Sequence, residues 1–501
     1  MPKKIVILGG GTAGWMAANL FVRKWTDEQV SVSLVESPDI GIIGVGEGST
    51  PFLERFFRAL GVADADWMPR CNATYKLGIS FAGWSPASGI DSYSHPFLSQ
   101  VDHFTEHAFV TNCRTRRLGL DVNTQPDDFF INSLLVKRRR GPQLSENFPF
   151  PIGHGYHFDS GLLGQYLAEL AVSRGARHTQ AKIVDVEMAT DGNIAALLDE
   201  YGSRIEADMF VDCTGFTSVL LQKSLGVNFE SFKSNLFNDS AVVMPTPAED
   251  SPRAETISYA MTNGWCWKIP LTNRFGNGYV YSSDFISADD AETELRTFLG
   301  ALDGDAEARH LQMKVGQVEK HWEKNCIALG LSQGFIEPLE ATALLLVQQA
   351  IEMFIARYEK GNFTPEFRDD YNAKVHERFE RVRDYIVAHY KLNTRGDSDY
   401  WKTNRDNMEL SDSLRHILDV WYRREDLAKE IHRQDIESHF TSLSWHCLLA
   451  GYGAFPPLAA DQPRRGDLYA EQGVAQFLDR CSLNFRSHSE NLAALLGPKV
   501  P

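Results

Sequence analysis

The sequence lacks any run of about 18 uncharged apolar residues, so it offers no helix that could cross a membrane. It begins directly in an apolar strand pattern, and we therefore expect no signal peptide. No long basic tract is present, and 50 basic against 66 acidic residues give a net charge of −16. Nucleic acid is therefore not an expected partner.

Paired cysteines are also missing: the seven cysteines are scattered without a CxxC pair, and the 15 histidines include no HExxH spacing. This argues against a structural zinc site or a disulfide scaffold and favours the reducing cytoplasm. His154 and His157 are better interpreted as hydrogen-bonding loop residues than as metal ligands. We predict a cytoplasmic protein without a bound metal.

The chain does contain a strong pattern at its start. Ile5 to Leu8 form a continuous apolar run, and Gly9, Gly11 and Gly14 follow at GxGxxG spacing before a helix-compatible stretch. A second apolar strand, residues 30–35, ends in Glu36, where a carboxylate can accept ribose hydroxyls. The pattern predicts a dinucleotide site; a purely structural glycine turn is the alternative.

Two further stretches are ambiguous on their own. Gly41, Gly44, Gly46 and Gly48 precede Ser49-Thr50-Pro51, and this loop could lie along a cofactor or be a plain surface loop. Residues 73–84 alternate as a strand with Lys76 opposite its apolar face, and a lone strand lysine is usually exposed to solvent.

The middle of the chain predicts mostly strands. A helix over residues 157–173 precedes a small β-meander, 181–210, whose last strand ends at Asp212 to Gly215, as in folds that return to a dinucleotide. Residues 264–285 predict a hairpin with Trp265 and Trp267 on one face, a stop at Pro270 and a turn at 275–278. Core packing explains the two tryptophans without any function.

The last third predicts mostly helices. A short strand over 325–330 leads to a helix from about residue 341 to 358, with Glu337 and Glu340 at its start as caps. The turn leaves the backbone N–H groups of Thr342 and Ala343 available to an anion. We predict a domain over residues 1–360 with insertions near 85–150 and 225–320, and a helical subdomain over 361–501 that covers the substrate pocket.

Three of these stretches together resemble one family, the flavin-dependent tryptophan halogenases: GGGTAGW, GWCWKIP and GLSQGFIEPLEAT. The second fits the family's W-x-W-x-I-P signature in full. GVGEGSTP, the Lys76 strand, YHFDSGLLG, VDCTGF and HYKLNTRGDSDYW extend the resemblance over most of the chain.

The resemblance implies an α/β, FAD-binding Rossmann-like fold of the p-hydroxybenzoate-hydroxylase type, with an inserted β-sheet and a mostly helical C-terminal subdomain. It implies an oxidoreductase that receives reduced FAD from a separate NAD(P)H-dependent reductase. Reaction with O2 gives a flavin hydroperoxide, which oxidises chloride or bromide to hypohalous acid. A small aromatic substrate is then halogenated. A homodimer is compatible with this family.

The family's motifs also imply residue roles. Lys76 matches the lysine that holds or reacts with the oxidant, and Glu340 matches the carboxylate that offsets the positive ring intermediate. Thr342 and Ala343 match the halide-binding backbone, although glycine is expected at 343. Trp265 and Trp267 would shield the flavin from the substrate. The implied cofactor-binding residues are Gly9, Gly11, Thr12, Ala13, Gly14, Glu36, Gly46, Ser49, Thr50, Gly330 and Leu331.

Substrate residues carry over less well. His95 and Phe97 match an H-x-F pair of the tryptophan enzymes' pocket, and Trp445 is assigned to the same pocket. Residues 439–453 contain neither the tyrosine pair nor the acid that those enzymes use for the amino-acid backbone. A zwitterion would leave charges unpaired, so we expect indole or an indole-like arene. A flavin hydroxylase and a non-catalytic flavin-binding protein are the alternatives.

Overall fold

The computed structural model describes residues 2–39, 46–144, 147–463 and 465–496. The predicted loop glycines Gly41 and Gly44 lie outside these residues. The chain divides into two compact units, each built from three segments. Unit 1 comprises residues 1–72, 158–233 and 313–380, and unit 2 comprises residues 73–157, 234–312 and 381–501. The domain division predicted from the sequence, with its boundary at residue 361, stays a prediction.

The strands of the described residues are short and are spread along the chain. Up to residue 158 they are β1 (Lys3–Leu8), β2 (Val30–Glu36), β3 (Glu47–Gly48), β4 (Thr74–Lys76), β5 (Gly78–Ser85), β6 (Ile90–Pro96), β7 (Arg140–Leu144) and β8 (Gly155–Phe158). Up to residue 281 they are β9 (Arg177–Gln180), β10 (Ile183–Met188), β11 (Ile194–Asp199), β12 (Arg204–Ile205), β13 (Met209–Asp212), β14 (Phe229–Ser231), β15 (Ser240–Pro247), β16 (Thr256–Met261), β17 (Gly264–Pro270) and β18 (Arg274–Tyr281). The remaining strands are β19 (Arg309–Gln312), β20 (Gly316–Val318), β21 (Trp322–Glu323), β22 (Cys326–Ala328), β23 (Gly334–Phe335) and β24 (Phe485–Ser487).

The α-helices become denser after residue 343, as the sequence predicts. Up to residue 299 they are α1 (Thr12–Lys24), α2 (Phe52–Leu60), α3 (Asp64–Trp67), α4 (Glu106–Arg117), α5 (Ile131–Lys137), α6 (Ser160–Ser173) and α7 (Ala288–Leu299). The later ones are α8 (Ala343–Lys360), α9 (Arg368–Leu392), α10 (Asp399–Asp406), α11 (Asp412–Tyr422), α12 (Leu427–Arg433), α13 (Ser442–Gly451), α14 (Leu468–Glu471), α15 (Val474–Ser482) and α16 (His488–Leu496).

Unit 1 is built on a mostly parallel sheet with the strand order β21-β22-β13-β1-β2-β9. The central strand β1 pairs in parallel with β2 on one side and with β13 on the other. Its residues Ile5 and Ile7 are fully buried, which explains the continuous apolar run in the sequence. Because the strand order reverses between β1 and β13, a ligand is expected at the carboxyl ends of these two strands. The predicted meander is also present, as the antiparallel β10-β11-β12.

Two helices of unit 1 begin later than the sequence suggests. α6 begins at Ser160 because Asp159 caps it, accepting hydrogen bonds from the N–H groups of Gly161 and Leu162. His157, which we expected in a loop or in this helix, lies in β8 instead. α8 begins at Ala343 because Ala341 adopts a left-handed conformation, with φ of 55°, after a 3₁₀ turn over Pro338–Glu340.

Unit 2 is built on a sheet with the strand order β19-β15-β18-β17-β16-β5-β6. The tryptophan hairpin is β17 and β18, but its turn covers residues 271–273 and not 275–278 as predicted. Phe275 already pairs with Pro270, and the N–H of Leu271 donates to the carbonyl of Arg274. The glycines that suggested a turn therefore lie within β18.

The Lys76 strand is interrupted directly after the lysine. β4 ends at Lys76 and β5 begins at Gly78, with Leu77 between them. The N–H of Leu77 donates to Ala254, and its carbonyl accepts from the N–H of Phe97. Lys76 is fully buried, so our expectation of a solvent-exposed strand lysine was wrong. Its strand is covered on both faces, which local alternation cannot reveal.

Candidate active site

The candidate residues fall into two sets, one in each unit. The dinucleotide and anion candidates all belong to unit 1. The candidates of unit 2 are Lys76, His95, Phe97, Trp265, Trp267 and Trp445.

The glycine loop after β1 is shaped by contacts that only glycine allows. Gly9 has a φ of 114°, and a Cβ there would lie 2.2 Å from the carbonyl oxygen of Cys213. A Cβ on Gly14 would lie 2.1 Å from the carbonyl oxygen of Gly9. A Cβ on Gly11, by contrast, would meet no described protein atom within 4 Å. The first and third glycines are thus required by packing, while the second borders open space where a pyrophosphate can approach the backbone.

Glu36 ends β2 beside this loop. Its Oε1 lies 2.7 Å from Nε2 of His178. Its Oε2 lies directly over Gly10, where a Cβ would be only 1.5 Å from that oxygen. The carboxylate therefore lies over the glycine loop, where it can accept ribose hydroxyls. His178, on the neighbouring strand β9, is a partner that the sequence pattern did not identify.

The other proposed cofactor residues of unit 1 surround the start of α1. Thr12 and Ala13 open the helix after Gly11, so their N–H groups belong to the first turn, which has no earlier helical carbonyl to bind. Gly330 has a φ of 63° and lies close to the start of α1, where a Cβ on this glycine would be 2.8 Å from Cβ of Ala13. Leu331 follows in the same 3₁₀ turn. These residues fit the diphosphate of a dinucleotide such as FAD.

The loop before α2 contributes the next candidates. Gly46 has a φ of 79°, Ser49 is buried, and the carbonyl of Thr50 accepts from the N–H of Leu53 as α2 begins. Within this loop, burial raises the pKa of Glu47 to about 7, and the nearby Asp159 carboxylate adds to the shift. The loop thus carries a carboxyl group that can be neutral near physiological pH.

The start of α8 holds Glu340, Thr342 and Ala343. Glu340 is 4% exposed and ends the 3₁₀ turn, and Ala341 then reverses the backbone. The first helical hydrogen bond runs from the N–H of Leu346 to the carbonyl oxygen of Thr342, with 3.0 Å between nitrogen and oxygen. The N–H of Ala343 belongs to the first turn, which has no earlier helical carbonyl to bind, so it suits an anion.

In unit 2, Lys76 is fully buried beside an aromatic ring. Its Nζ is 5.5 Å from the centroid of the Phe97 ring, within the range of a cation–π interaction. Across the β4–β8 pair, Lys76 faces Gly155, which carries no side chain. The amine therefore lies in a buried environment beside an aromatic ring, with a glycine opposite on the neighbouring strand.

Asn132 fixes the backbone on either side of this pair, and the sequence analysis missed it. It is fully buried, and its Nδ2 lies 3.2 Å from the carbonyl oxygen of Leu77, 2.6 Å from that of Phe97 and 2.7 Å from that of Gly153. An asparagine in a short helix gives no sequence signal of this kind.

His95 and Trp445 meet through a residue that we did not predict, Tyr385 of α9. The ring centroids of His95 and Tyr385 are 5.8 Å apart, and those of Trp445 and Tyr385 are 4.8 Å apart. Phe440 stacks on Tyr385 at 3.6 Å with nearly parallel planes. The predicted pocket residues thus belong to one aromatic cluster, which we call the Tyr385 cluster: His95, Tyr385, Phe440 and Trp445.

Trp265 and Trp267 are both buried, with ring centroids 6.0 Å apart. The ring of Trp267 lies directly over Gly278 of β18, where a Cβ would be 2.1 Å from the ring. The pair is therefore fixed by the hairpin itself, and the glycine is needed to seat Trp267.

The described residues contain no group of three or more His, Cys, Asp or Glu side chains placed to hold a metal ion. No described helix is both long enough and apolar enough to cross a bilayer.

Comparison with known proteins identifies the family. The model of the family described as "Tryptophan halogenase" matches residues 4–464. The chain belongs to this family. It is 34% identical to the 7-chloro-L-tryptophan 6-halogenase KtzR of Kutzneria, across 99% of this chain and 100% of that protein. It is 36% identical to the tryptophan 6-halogenase SttH of Streptomyces toxytricini, across 84% of each.

Solved structures agree. The structure of SttH from Streptomyces toxytricini has a TM-score of 0.85 at 33% identity and covers 98% of this chain and 100% of its own. That of BrvH, a flavin-dependent halogenase from Brevundimonas, has a TM-score of 0.82 at 31% identity over 99% of both chains. The predicted fold and family are confirmed, and the protein is a flavin-dependent halogenase. These comparisons do not favour the hydroxylase alternative.

Proposed function

We propose that this protein uses reduced FAD, O2 and chloride or bromide to halogenate an electron-rich arene, with indole or an indole derivative as the substrate class. The observation that carries the proposal is the fully buried Lys76 beside Phe97, in a chain that also has the family's dinucleotide loop. Bound reduced FAD supplies the electrons that let O2 oxidise halide. The remaining chemistry belongs to residues of this chain.

Unit 1 is proposed to bind the cofactor. The N–H groups of Thr12 and Ala13 and the space beside Gly11 suit the diphosphate, and Glu36 suits the ribose hydroxyls. Gly46, Ser49, Thr50, Gly330 and Leu331 are assigned to the same cofactor. Thr342 and Ala343 are assigned to halide, since the first turn of a helix attracts anions. Alanine at 343 keeps the N–H group but adds a methyl where the family has glycine.

Lys76 is proposed to hold the oxidant. As an ammonium group it donates a hydrogen bond to hypohalous acid. As a free amine it takes the halogen from hypohalous acid, so that an N–halogen bond forms, the O–halogen bond breaks, and the hydroxide leaves with the amine proton as water. Burial keeps bulk water away from Nζ, which protects a reactive halogen species from side reactions. Glu340 is proposed to stabilise the positive charge that develops on the arene during substitution. Trp265 and Trp267 are proposed to keep the arene away from the flavin, so that halide is oxidised in its place.

The substrate class follows from what surrounds Trp445. His95 and Phe440 are the partly exposed members of the Tyr385 cluster, and their rings are proposed to contact the indole ring. Tyr452, the tyrosine of residues 439–453, donates to or accepts from Nδ1 of His389 at 3.1 Å and is already engaged. A free amino acid would find neither an acid nor a pair of tyrosines in this segment. We therefore propose that tryptophan is a poor substrate.

We also propose that a separate NAD(P)H-dependent flavin reductase supplies the reduced cofactor. A cytoplasmic location, supported by the scattered cysteines without a CxxC pair, and a homodimer, supported by the family resemblance, belong to the same proposal.

The decisive experiment compares Lys76→Ala with the parent protein and with Lys76→Arg. Each is given a flavin reductase, NADH, FAD, halide and either indole or tryptophan, and haloarenes are measured by mass spectrometry. We expect Lys76→Ala to lose haloarene formation while reduced-flavin oxidation continues, and Lys76→Arg to lose most of it. Halogenation by Lys76→Ala at the parent rate would refute the role of Lys76. A higher kcat/KM for tryptophan than for indole would refute the substrate class.

A further inference from the structure

A buried hydrogen-bonded chain ties the Lys76 strand to the tryptophan hairpin. Oγ1 of Thr74, two residues before Lys76, lies 2.8 Å from the carbonyl oxygen of Pro270, where β17 ends. The same Oγ1 lies 3.1 Å from Nδ1 of His157 on β8. Nε2 of His157 lies 2.9 Å from Oγ1 of Thr256 at the start of β16. His157 and Thr74 are fully buried, and Thr256 is 7% exposed.

The donors and acceptors of this chain allow one arrangement for a neutral imidazole. Thr74 has a single hydroxyl proton, and the carbonyl of Pro270 can only accept, so that proton is used there. The contact with His157 must then have Nδ1–H as donor and Oγ1 as acceptor. Nε2 is left as an acceptor and receives the hydroxyl proton of Thr256. The order of donation is Thr256 to His157, His157 to Thr74, and Thr74 to Pro270.

The surroundings favour this neutral ring. Burial lowers the pKa of His157 well below its ordinary value, and repulsion from Lys76 lowers it further. Thr74 faces His157 directly across the β4–β8 pair, and Lys76 faces Gly155. His157 and Lys76 are therefore diagonal neighbours on one face of the strand pair. In such a pair the Cα atoms of diagonal neighbours are about 7–8 Å apart. A second positive charge so close to a buried lysine would be costly.

We propose that His157 is a positioning residue for Lys76. Held as the Nδ1–H tautomer, it fixes β4 against the ends of β16 and β17 and thereby sets where the lysine amine lies relative to the hairpin of Trp265 and Trp267. His157 does not touch the oxidant and transfers no proton. The inference rests on the proposed role of Lys76, and it adds a residue that the family signature does not assign.

Loss of these hydrogen bonds should reduce transfer of the halogen to the arene. Oxidation of the reduced flavin and formation of the oxidant should continue. If β4 is no longer tied at Thr74, the amine of Lys76 samples other positions, and catalysis is sensitive to displacements of about 1 Å. The oxidant would still form, but a smaller share would reach the arene and more would escape into solution. A merely structural role would instead lower all steps in proportion to the loss of folded protein.

The test uses His157→Phe, which keeps the ring volume without nitrogens, and Thr74→Val, which removes the hydroxyl alone. Thr74→Ser keeps the hydroxyl and serves as the matched control. His321→Gln is a control for loss of a buried histidine in unit 1, where His321 is fully buried. For each protein we would measure haloarene per reduced flavin oxidised, hypohalite trapped by a scavenger, the melting temperature, and hydrogen exchange of residues 73–84.

We expect His157→Phe and Thr74→Val to lower haloarene per flavin about tenfold, the size of one buried hydrogen bond, with a matching rise in trapped hypohalite. Exchange of the 73–84 segment should accelerate in both. Thr74→Ser and His321→Gln should keep the parent ratio, the latter even with a lower melting temperature. If His157→Phe fails to fold, Thr74→Val alone decides. An unchanged ratio in Thr74→Val overturns the inference.

Parallel assay of Lys76→Ala separates the two proposals. Haloarene formation by Lys76→Ala would refute the proposed function. If Lys76→Ala forms no haloarene while His157→Phe and Thr74→Val keep the parent's yield of haloarene per flavin oxidised, only the role of His157 is refuted.

Discussion

The Nζ of Lys76 lies 5.5 Å from the centroid of the Phe97 ring, and both residues are tied to the same backbone junction. The N–H of Phe97 donates to the carbonyl of Leu77, which directly follows the lysine. Phe97, which resemblance assigned to the substrate pocket, therefore also contacts the proposed oxidant-holding amine. The interaction of a buried cation with a ring face is worth about 2 kcal/mol.

The first prediction concerns this contact. Phe97→Leu removes the ring face and should lower the halogenation rate by about tenfold, because the ammonium group loses its aromatic partner and its defined position. Phe97→Tyr keeps the ring face and should stay within about twofold of the parent. Steady-state haloarene formation with indole measures both. Equal halogenation rates for Phe97→Leu and the parent would show that the contact between Lys76 and Phe97 does not contribute to catalysis.

The glycine loop gives a prediction with two opposite outcomes. Gly11→Ala should fold with the parent's melting temperature, because Gly11 has φ of −72° and a Cβ there meets no described protein atom within 4 Å. It should nevertheless weaken FAD binding at least about tenfold, since the methyl group enters the space proposed for the diphosphate. Gly14→Ala should lower the melting temperature itself, because its Cβ would lie 2.1 Å from the carbonyl oxygen of Gly9.

Thermal melting without cofactor and titration of FAD by flavin fluorescence distinguish the two variants. Parent-like FAD affinity in a folded Gly11→Ala protein would contradict the proposed cofactor position.

The elements of the fold that can be predicted well from the sequence are those determined by local periodicity. The apolar run of Ile5 to Leu8 and its glycine turn indicate a central parallel strand, and β1 lies between β2 and β13 in the sheet. The helical pattern from about residue 341 to 358 likewise predicts helix α8, Ala343–Lys360. In these cases the burial pattern is repeated along one element, so no distant residue is needed to interpret it.

The parts that sequence does not predict depend on distant neighbours. Lys76 is buried because Gly155 and Phe97, far along the chain, lie against it, and the alternation of β4 and β5 cannot report them. Tyr385 lies within helix α9, but its place in a helix does not reveal that its ring meets those of His95 and Trp445. Gly278 was interpreted as part of a turn, whereas it is a strand residue that makes room for Trp267.

This last pair supports a double-substitution prediction. Gly278→Ala should destabilise the protein by about 1–3 kcal/mol, because its Cβ would overlap the ring of Trp267. Trp267→Phe leaves the smaller ring and should cost stability on its own by removing buried area. The double variant should be more stable than the sum of the two single effects, because the smaller ring restores the space. Urea unfolding of all four proteins measures the coupling, and additive effects would contradict the contact.

The last prediction concerns acid stability. His488 is fully buried, its Nδ1 lies 2.9 Å from the carbonyl oxygen of Pro252, and burial lowers its pKa to about 4. In the unfolded chain a histidine has a pKa of about 6.5, so below that pH the unfolded state binds more protons. The stability that neutral His488 contributes is complete above pH 6.5 and is lost progressively down to pH 4, a total of about 3 kcal/mol.

His488→Gln should therefore lose less stability than the parent between pH 7 and pH 5, where the histidine accounts for about 2 kcal/mol of the parent's loss. The free energy of unfolding in urea at the two pH values gives the difference directly, and other titrating groups cancel between variant and parent. Identical pH dependence in His488→Gln and the parent would mean that His488 is protonated as readily in the folded protein as in the unfolded chain.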